Sequence, residues 1–268
     1  MIKEKIKTLK SILNRSRLSD YEYTITRKDI DNIPIEYEVS RTPFVIDQRH
    51  SSMCVSIAFN TVRYMQLIDT NPELDYIFSP AYTYAITKRN YNNVYREGAN
   101  IKFTCESTAL YGGLPYYELP GLFRYKTCLN LLSENKTKYL ERASHFKIKN
   151  YMRATTDEGI KIAIMKNKGL VVALDDCYEL NNPVNGIINY STDTILNNNT
   201  NGHAVVLCGW KYIENKLYWR IQNSYGESYG DKGRVWIPEN YPWKCSPWTF
   251  EDNSDLSYSQ YKELYKYE

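Results

Sequence analysis

Apolar residues recur at helical spacing through the first half of the chain. The run MCVSIAFNTVRYMQLI predicts a long buried helix with Cys54 in its first turn. Ser51 or Ser52 is available as the N-cap of this helix. A second helical pattern covers 79–90, and a third is predicted to begin near Tyr116. We therefore expect the first half of the chain to be helical.

Short runs of β-branched and aromatic residues dominate the chain after about residue 145, and clusters of glycine and asparagine separate them. The four predicted strands are 169–176, 203–210, 217–224 and 233–238. A predicted helix, 157–167, precedes the first of them. A helical half followed by a mainly antiparallel half predicts an α+β fold of two lobes with a cleft between them.

Length and composition are those of an ordinary globular protein. The 268 residues, 43% of them hydrophobic, are enough to bury a core. The 34 basic and 31 acidic side chains are well mixed and leave a net charge of +3, so we expect no nucleic-acid partner. No stretch approaches the roughly 20 apolar residues of a membrane helix, and residues 1–20 lack the apolar core of a signal peptide.

Six cysteines are spread over the chain without a Cys-x-x-Cys pair, and no histidine lies at metal-ligand spacing. We expect neither a metal site nor another cofactor. Without a secretory signal, the thiols are expected to be reduced, and most of them to be small buried side chains. One of them is a candidate for chemistry.

Cys54 is that candidate, because a thiol at the first turn of a helix lies at the positive end of the helix dipole, which favours the thiolate. A lone cysteine there is more often a packed core residue. His203 and Asn223 change the interpretation, since both lie on predicted strands that should face the helix across the cleft. An imidazole can move the thiol proton, an amide can orient the imidazole, and Gln48, six positions before Cys54, can supply an oxyanion donor.

Three segments resemble the active-site segments of papain-like cysteine peptidases, the papain and cathepsin family. TPFVIDQRHSSMCVSIAF is similar to the family's cysteine segment, GHAVVLCGW to its histidine strand, and QNSYGESYGDKGRVWI to its asparagine segment. The resemblance implies a papain-like two-lobe fold whose central helix starts near Cys54. It also implies a cysteine endopeptidase that forms a thioester at Cys54, with His203 as general base and acid, Asn223 as orienting residue and Gln48 in the oxyanion hole.

A weaker match concerns substrate binding. Gly112 and Gly113 look like the family's Gly-Gly turn, whose backbone pairs with an extended substrate, and by the same resemblance Leu114 and Pro115 line the main specificity pocket. Tyr225 stands where the family has a tryptophan beside the Asn–His pair. These five are the expected substrate-binding residues, and the expected partner is a peptide or protein substrate.

The chain also departs from the family pattern. The usual Cys-Gly-Ser-Cys-Trp is replaced by Ser-Ser-Met-Cys-Val at 51–55, so the cysteine before the nucleophile is absent. The family's usual active-site disulfide therefore cannot form, and the chain is expected to be a divergent member. No additional histidine pair of the kind that blocks one cleft end in carboxypeptidase members is seen, which favours an endopeptidase. His50, in the loop after Gln48, is positioned to touch substrate, although a solvated loop histidine is the simpler interpretation.

We divide the chain into a propeptide-like extension, 1–32, and a peptidase domain, 33–268, with a helical lobe at about 50–140 and a β lobe at about 141–250. Residues 1–20 carry apolar positions at helical spacing among lysines and arginines, which predicts a short amphipathic helix. The extension is either a strap that inhibits the enzyme or a packing element without a regulatory role.

The sequence is also compatible with other functions. A papain-like binding protein without activity would keep the fold and the cleft. An exopeptidase, an isopeptidase or a thiol transferase would share the same residues. We expect a cytoplasmic or virion-associated protein, because no signal peptide is seen and the richness in Asn, Lys, Ile and Tyr suits an AT-rich genome such as that of a virus.

Overall fold

The computed structural model describes residues 22–70, 77–91, 97–122, 124–134, 136–175, 178–190, 202–253, 259, 260 and 263. The amphipathic helix predicted for residues 1–20 lies outside the described residues, as does Cys177. Within the described part, the chain forms eight helices and seven strands. The predicted α+β fold is confirmed.

The helices are α1 (Arg27–Asp31), α2 (Cys54–Thr70), α3 (Pro80–Asn90), α4 (Ile101–Tyr111), α5 (Tyr125–Glu134), α6 (Lys136–Ala143), α7 (Asp157–Asn167) and α8 (Tyr178–Asn181). A 3-10 turn covers Tyr116–Glu118, where the sequence predicted the start of a helix. Helix α4 was not predicted. None of the helices in the described ranges combines the length and the apolar character needed to span a bilayer.

The strands are β1 (Tyr37–Glu38), β2 (Ile148–Arg153), β3 (Leu170–Asp175), β4 (Gly202–Ile213), β5 (Lys216–Gln222), β6 (Arg234–Pro238) and β7 (Trp248–Asp252). They form one antiparallel sheet in the order β2-β7-β3-β4-β5-β6, with β1 paired to the second half of β4. The four predicted strands correspond to β3, β4, β5 and β6, whereas β1, β2 and β7 were not predicted.

The hairpin between β4 and β5 sets the relative position of His203 and Asn223. Its two turn residues, Glu214 and Asn215, both have positive φ values, 51° and 62°, as a tight two-residue hairpin turn requires. His203 is the second residue of β4, and Asn223 directly follows β5. Because the strands run antiparallel, these two residues lie at the same end of the sheet.

Helix α2 is buried on two faces, which explains why its apolar residues are not confined to a single stripe. Val55, Phe59 and Val62 pack in a core shared with the sheet. Met53, just before the helix, and Ile57 pack in a second core formed with α3, α5 and α6. The start of α2, with Cys54, is thus fixed between the helical lobe and the sheet.

Arg63 ties α2 to the last strand of the sheet. Its guanidinium is fully buried, forms an ion pair with Asp252 of β7, and lies 3.5 Å from the centre of the Phe78 ring. It also donates a hydrogen bond to the carbonyl oxygen of Phe146 at 3.0 Å. A buried guanidinium needs such partners, because an uncompensated charge in the core is costly.

Candidate active site

The first turn of α2 presents Cys54 without a side-chain cap from the two predicted serines. Met53 occupies the N-cap position, and its carbonyl oxygen accepts the first helical hydrogen bond, from Ile57 N, at 2.9 Å. The hydroxyl of Ser51 donates to the carbonyl oxygen of Gln48 at 2.7 Å, and that of Ser52 donates to the Glu97 carboxylate at 2.5 Å. The backbone N–H groups at the helix start therefore stay available to the thiol and to a bound ligand.

His203 and Asn223 form a buried pair. His203 Nε2 lies 2.6 Å from Asn223 Oδ1, and the same oxygen accepts a hydrogen bond from the backbone N–H of Ser224 at 2.7 Å. The backbone N–H of Asn223 donates to the carbonyl oxygen of Gly233 at 3.0 Å, which holds the asparagine in place. With Nε2 bonded to the amide oxygen, Nδ1 is the nitrogen left to face Cys54.

The Cys54 thiol has a lowered pKa. Burial raises the pKa, but the hydrogen bond and the charge of His203 lower it, and so do the backbone N–H groups of Ala204 and Val55, with a net shift below the ordinary value. Other described cysteines shift the opposite way, since burial raises the pKa of Cys208 to about 12 and also raises that of Cys245. A thiol that is partly exposed and stabilised as the thiolate is the form that acts as a nucleophile.

Gln48 is held by Ser224, the residue after Asn223. The hydroxyl of Ser224 donates to Gln48 Oε1 at 2.6 Å, and the backbone N–H of Gln48 donates to the carbonyl oxygen of Ser224 at 2.8 Å. Because Oε1 is occupied, the Nε2 amide group is the donor that Gln48 can offer to a ligand in the cavity that it shares with Cys54. The sequence did not single out Ser224; its only signal was its place directly after the predicted asparagine.

Tyr225 covers the imidazole of His203, and Tyr229 supports Tyr225 from the side. The Tyr225 ring stacks on the imidazole, with a centroid distance of 4.9 Å and an interplanar angle of 23°. Tyr229 meets Tyr225 edge to face at 5.3 Å, and its hydroxyl donates to the carbonyl oxygen of Leu180 at 2.6 Å. The aromatic cover keeps water from competing for the imidazole–amide hydrogen bond.

Four of the candidate residues, Gln48, Cys54, His203 and Tyr225, share a cavity of about 510 Å³. It is lined by Gln48, Ser51, Ser52, Cys54, Glu97, Gly98, Ala99, Asn100, Gly202, His203 and Tyr225. Gly98 has a positive φ of 78°, is partly exposed, and its carbonyl oxygen accepts a hydrogen bond from the buried Lys88 Nζ at 2.9 Å. Because it has no side chain, Gly98 lines the cavity with its backbone. The sequence carries no strong signal for this position, since a single glycine is less distinctive than the Gly-Gly pair at 112–113.

The predicted substrate-binding residues 112–115 lie elsewhere. All four are buried, and none lines the cavity of Cys54. A Cβ on Gly112, whose φ is 82°, would lie 1.7 Å from the carbonyl oxygen of Ala143, and one on Gly113 would lie 2.0 Å from Nη1 of Arg63. Close packing within the helical lobe accounts for these two glycines. The structure thus brings together the other five predicted site residues: Gln48, Cys54, His203, Asn223 and Tyr225.

The described part of the predicted extension packs at the other end of α2. Tyr23 donates a hydrogen bond to Asn167 at 2.9 Å, and Asp29 pairs with Lys166 at 2.5 Å. Gln66, in the last turns of α2, also donates to the carbonyl oxygen of Asn167, at 2.8 Å. At the helical rise, Gln66 is about 18 Å from Cys54 along the helix axis.

Comparison with known proteins gives a family match over residues 78–249, to the model described as papain family cysteine protease. The match covers more than half of the chain. It includes His203 and Asn223 and begins after Cys54, so the cysteine segment contributes nothing to it.

Two curated relatives are similar over short segments. A viral cathepsin of Mamestra configurata nucleopolyhedrovirus is 32% identical over 74 residues, which are 28% of this chain and 20% of the relative. A cathepsin B-like cysteine proteinase of Schistosoma japonicum is 31% identical over 98 residues, 37% of this chain and 27% of the relative. The chain thus matches only 20% and 27% of the length of these two relatives.

Solved structures are similar over most of the chain. Xylellain, a cysteine protease from Xylella fastidiosa, superimposes with a TM-score of 0.72 at 20% identity, covering 88% of this chain and 92% of that one. The digestive procathepsin L 3 of Tenebrio molitor larval midgut gives a TM-score of 0.65 at 14% identity, covering 92% and 79%. ProCathepsin B S9 from Trypanosoma congolense gives 0.67 at 13%, covering 87% and 82%. At these identities the similarity is one of fold.

Proposed function

Because the chain belongs to the papain family of cysteine proteases, we propose that it is an endopeptidase that cleaves peptide bonds through a thioester at Cys54. One observation carries the proposal: a hydrogen-bonded series runs from Cys54 to His203 and on to Asn223. The three residues come from a helix start, a strand and the end of the next strand, so the fold has to place each of them separately.

In the acylation step, the Cys54 thiolate attacks the carbonyl carbon of the scissile bond and a C–S bond forms. The protonated imidazole of His203 then gives its proton to the leaving amine as the C–N bond breaks. Asn223 keeps the ring in the rotation that points Nδ1 at the sulfur, because Nε2 is held at 2.6 Å from its amide oxygen.

The oxyanion formed in this step needs two donors. The backbone N–H of Cys54, at the start of α2, is one, and the Gln48 side-chain amide is the other. Ser224 fixes the direction of that amide through its hydrogen bond to Gln48 Oε1. A donor whose direction is fixed in this way before substrate binds would need little reorganisation during the reaction, which supports the proposed role of Gln48.

In the deacylation step, His203 takes a proton from water, and the water oxygen attacks the thioester carbonyl. The C–S bond breaks, the carboxylic acid product leaves, and Cys54 returns as the thiolate. The stacked ring of Tyr225 limits other water at the imidazole–amide pair.

Substrate backbone is proposed to lie along Gly98 and Ala99, since these residues, in contrast to 112–115, line the cavity of Cys54. Endopeptidase action is supported by the lining of that cavity. Among the described residues, its only histidine is His203, so no second imidazole is placed there to bind a terminal carboxylate.

We keep the division into an extension, 1–32, and a peptidase domain, 33–268, as a proposal. Residues 22–32 are packed far from Cys54, so any inhibition by the extension has to come from residues 1–21. Deleting residues 1–21 tests this: a rise in peptide turnover supports an inhibitory strap, and unchanged turnover in the folded protein contradicts it.

The function is tested by labelling with a peptidyl epoxide that traps papain-like thiols, followed by mass spectrometry. One adduct per chain is expected at Cys54, none in Cys54→Ala, and an unchanged adduct in Cys245→Ala, which removes another partly buried thiol. Cleavage of peptides blocked at both ends is expected for an endopeptidase and not for an exopeptidase. If the folded protein neither forms the adduct nor cleaves any peptide, the peptidase proposal is wrong and a papain-like binding protein without activity is the remaining interpretation.

A further inference from the structure

A second cavity, of about 580 Å³, adjoins the catalytic cleft. The two cavities share Gln48 and Ser51 as lining residues. The second cavity extends from there between the loop 44–51 and the residues around Tyr116 and Leu122. A peptide that passes the oxyanion residue Gln48 can therefore continue into it.

The lining combines apolar surface with positive charge. Phe44, which is 60% exposed, offers apolar surface that the protein itself leaves uncovered. Leu122, which is partly buried against the core of the helical lobe, adds to the apolar lining. Arg49 and Arg124 are both exposed at the same cavity. Its one acidic lining residue, Asp47, is 3.8 Å from the guanidinium of Arg49, so the cavity keeps a net positive charge.

Arg124 has no ion-pair partner among the residues that the structure describes. Its guanidinium is thus free to bind a carboxylate with two parallel hydrogen bonds, the geometry that arginine prefers. The apolar part of the cavity suits the methylene groups or the neighbouring residue of the same ligand.

We propose that this cavity is a substrate subsite that selects an acidic side chain, glutamate or aspartate, a short distance along the peptide from the scissile bond. The proposal deepens the proposed function and rests on it. The chain's own first 20 residues are a poor fit to the subsite, because they carry six lysines and arginines and only two acidic residues. Charge complementarity therefore points to an acidic segment of a separate substrate.

The test uses pairs of internally quenched peptides that differ only by Glu or Gln at one position, scanned along both sides of the cleaved bond. At one position the full-length protein is expected to cleave the Glu peptide with a kcat/KM about five to ten times that of the Gln peptide. The advantage should shrink as salt rises, because exposed charge pairs are screened.

Variants assign the preference to the cavity. Arg124→Gln and Arg49→Gln are each expected to lower the Glu/Gln ratio about threefold, and the double variant should bring it to about 1. Arg27→Gln is the matched control: it removes the same charge from an exposed position on α1, outside the cavity, and should keep the full ratio. An equal decrease of the Glu/Gln ratio in Arg27→Gln would indicate a general effect of net charge and would contradict the proposed subsite.

A binding measurement separates the two proposals. Fluorescence anisotropy with Cys54→Ala reports the affinity for the same Glu and Gln peptides without cleavage. A Glu preference in binding that Arg124→Gln removes supports the subsite even if the wild type cleaves neither peptide, and in that case only the peptidase proposal fails. Cleavage without a preference for Glu at any position contradicts the acidic subsite, whereas the peptidase proposal is then supported.

Discussion

The hydrogen bond from Ser224 to Gln48 allows a quantitative prediction about the proposed oxyanion hole. Ser224→Ala removes the hydroxyl that holds Gln48 Oε1 at 2.6 Å and leaves the backbone of residue 224 in place. The Gln48 amide is then free to turn, so only part of its contribution should be lost. Gln48→Ala removes the donor altogether.

The size of both effects follows from ordinary hydrogen-bond energies. Loss of one oxyanion donor costs about 100- to 1,000-fold in kcat, which is the range expected for Gln48→Ala. A neutral hydrogen bond contributes about 0.5–1.5 kcal/mol, so Ser224→Ala should lower kcat/KM by about 2- to 13-fold. If Ser224 acts only through Gln48, Ser224→Ala should have no further effect in the Gln48→Ala background.

The assay is steady-state hydrolysis of one fluorogenic peptide by the wild type, both single variants and the double variant. Thermal unfolding of all four proteins is the control, because Ser224 is 3% exposed and its loss must not be mistaken for unfolding. The reasoning is refuted if Ser224→Ala lowers kcat/KM by the same factor with and without the Gln48 side chain, since Ser224 would then act independently of it.

The Cys54 thiol and the buried Arg63–Asp252 ion pair can each be tested by substitution. Alkylation of Cys54 by iodoacetamide should stay fast as pH falls below the ordinary thiol pKa. In His203→Ala the burial of the thiol remains but the imidazole is gone, so the pH at which the alkylation rate is half-maximal should rise. An unchanged pH profile would contradict the conclusion that His203 lowers the pKa of Cys54. Arg63→Met leaves Asp252 buried without its charge partner and should lower the free energy of unfolding in urea by about 3–5 kcal/mol. The double variant Arg63→Met/Asp252→Asn should recover part of that loss, because it leaves no unpaired charge. An equal loss of stability in the single and the double variant would show that packing matters more than charge.

Local patterns in the sequence were sufficient for the elements that carry the candidate residues. The helix predicted around Cys54 begins at Cys54, and the strands predicted around His203 and before Asn223 are β4 and β5. Each depends on residue types within about ten positions, so apolar periodicity and turn residues were enough.

Contacts between distant segments were not predictable in the same way. The Gly112–Gly113 pair resembles a substrate-binding turn, but a side chain at either position would collide with Ala143 or with Arg63. The sequence gives no sign that these residues lie close to the two glycines. Gly98 carries a weaker pattern and yet reaches the cleft, because Lys88 of α3 holds its carbonyl oxygen. The side chain that fills a space near a glycine is decided by tertiary packing, which a single sequence does not display.

The start of α2 also has a consequence for engineering. A search for stabilising substitutions would select position 53, because a serine or aspartate N-cap contributes about 1 kcal/mol to a helix. Met53 is instead fully buried in the core of the helical lobe, and the N–H group of Val55, in the first turn, stabilises the sulfur of Cys54. A polar residue at position 53 would lose the burial of the Met53 side chain, so a thermostabilisation programme should leave this turn unchanged and begin at exposed surface positions away from the cleft.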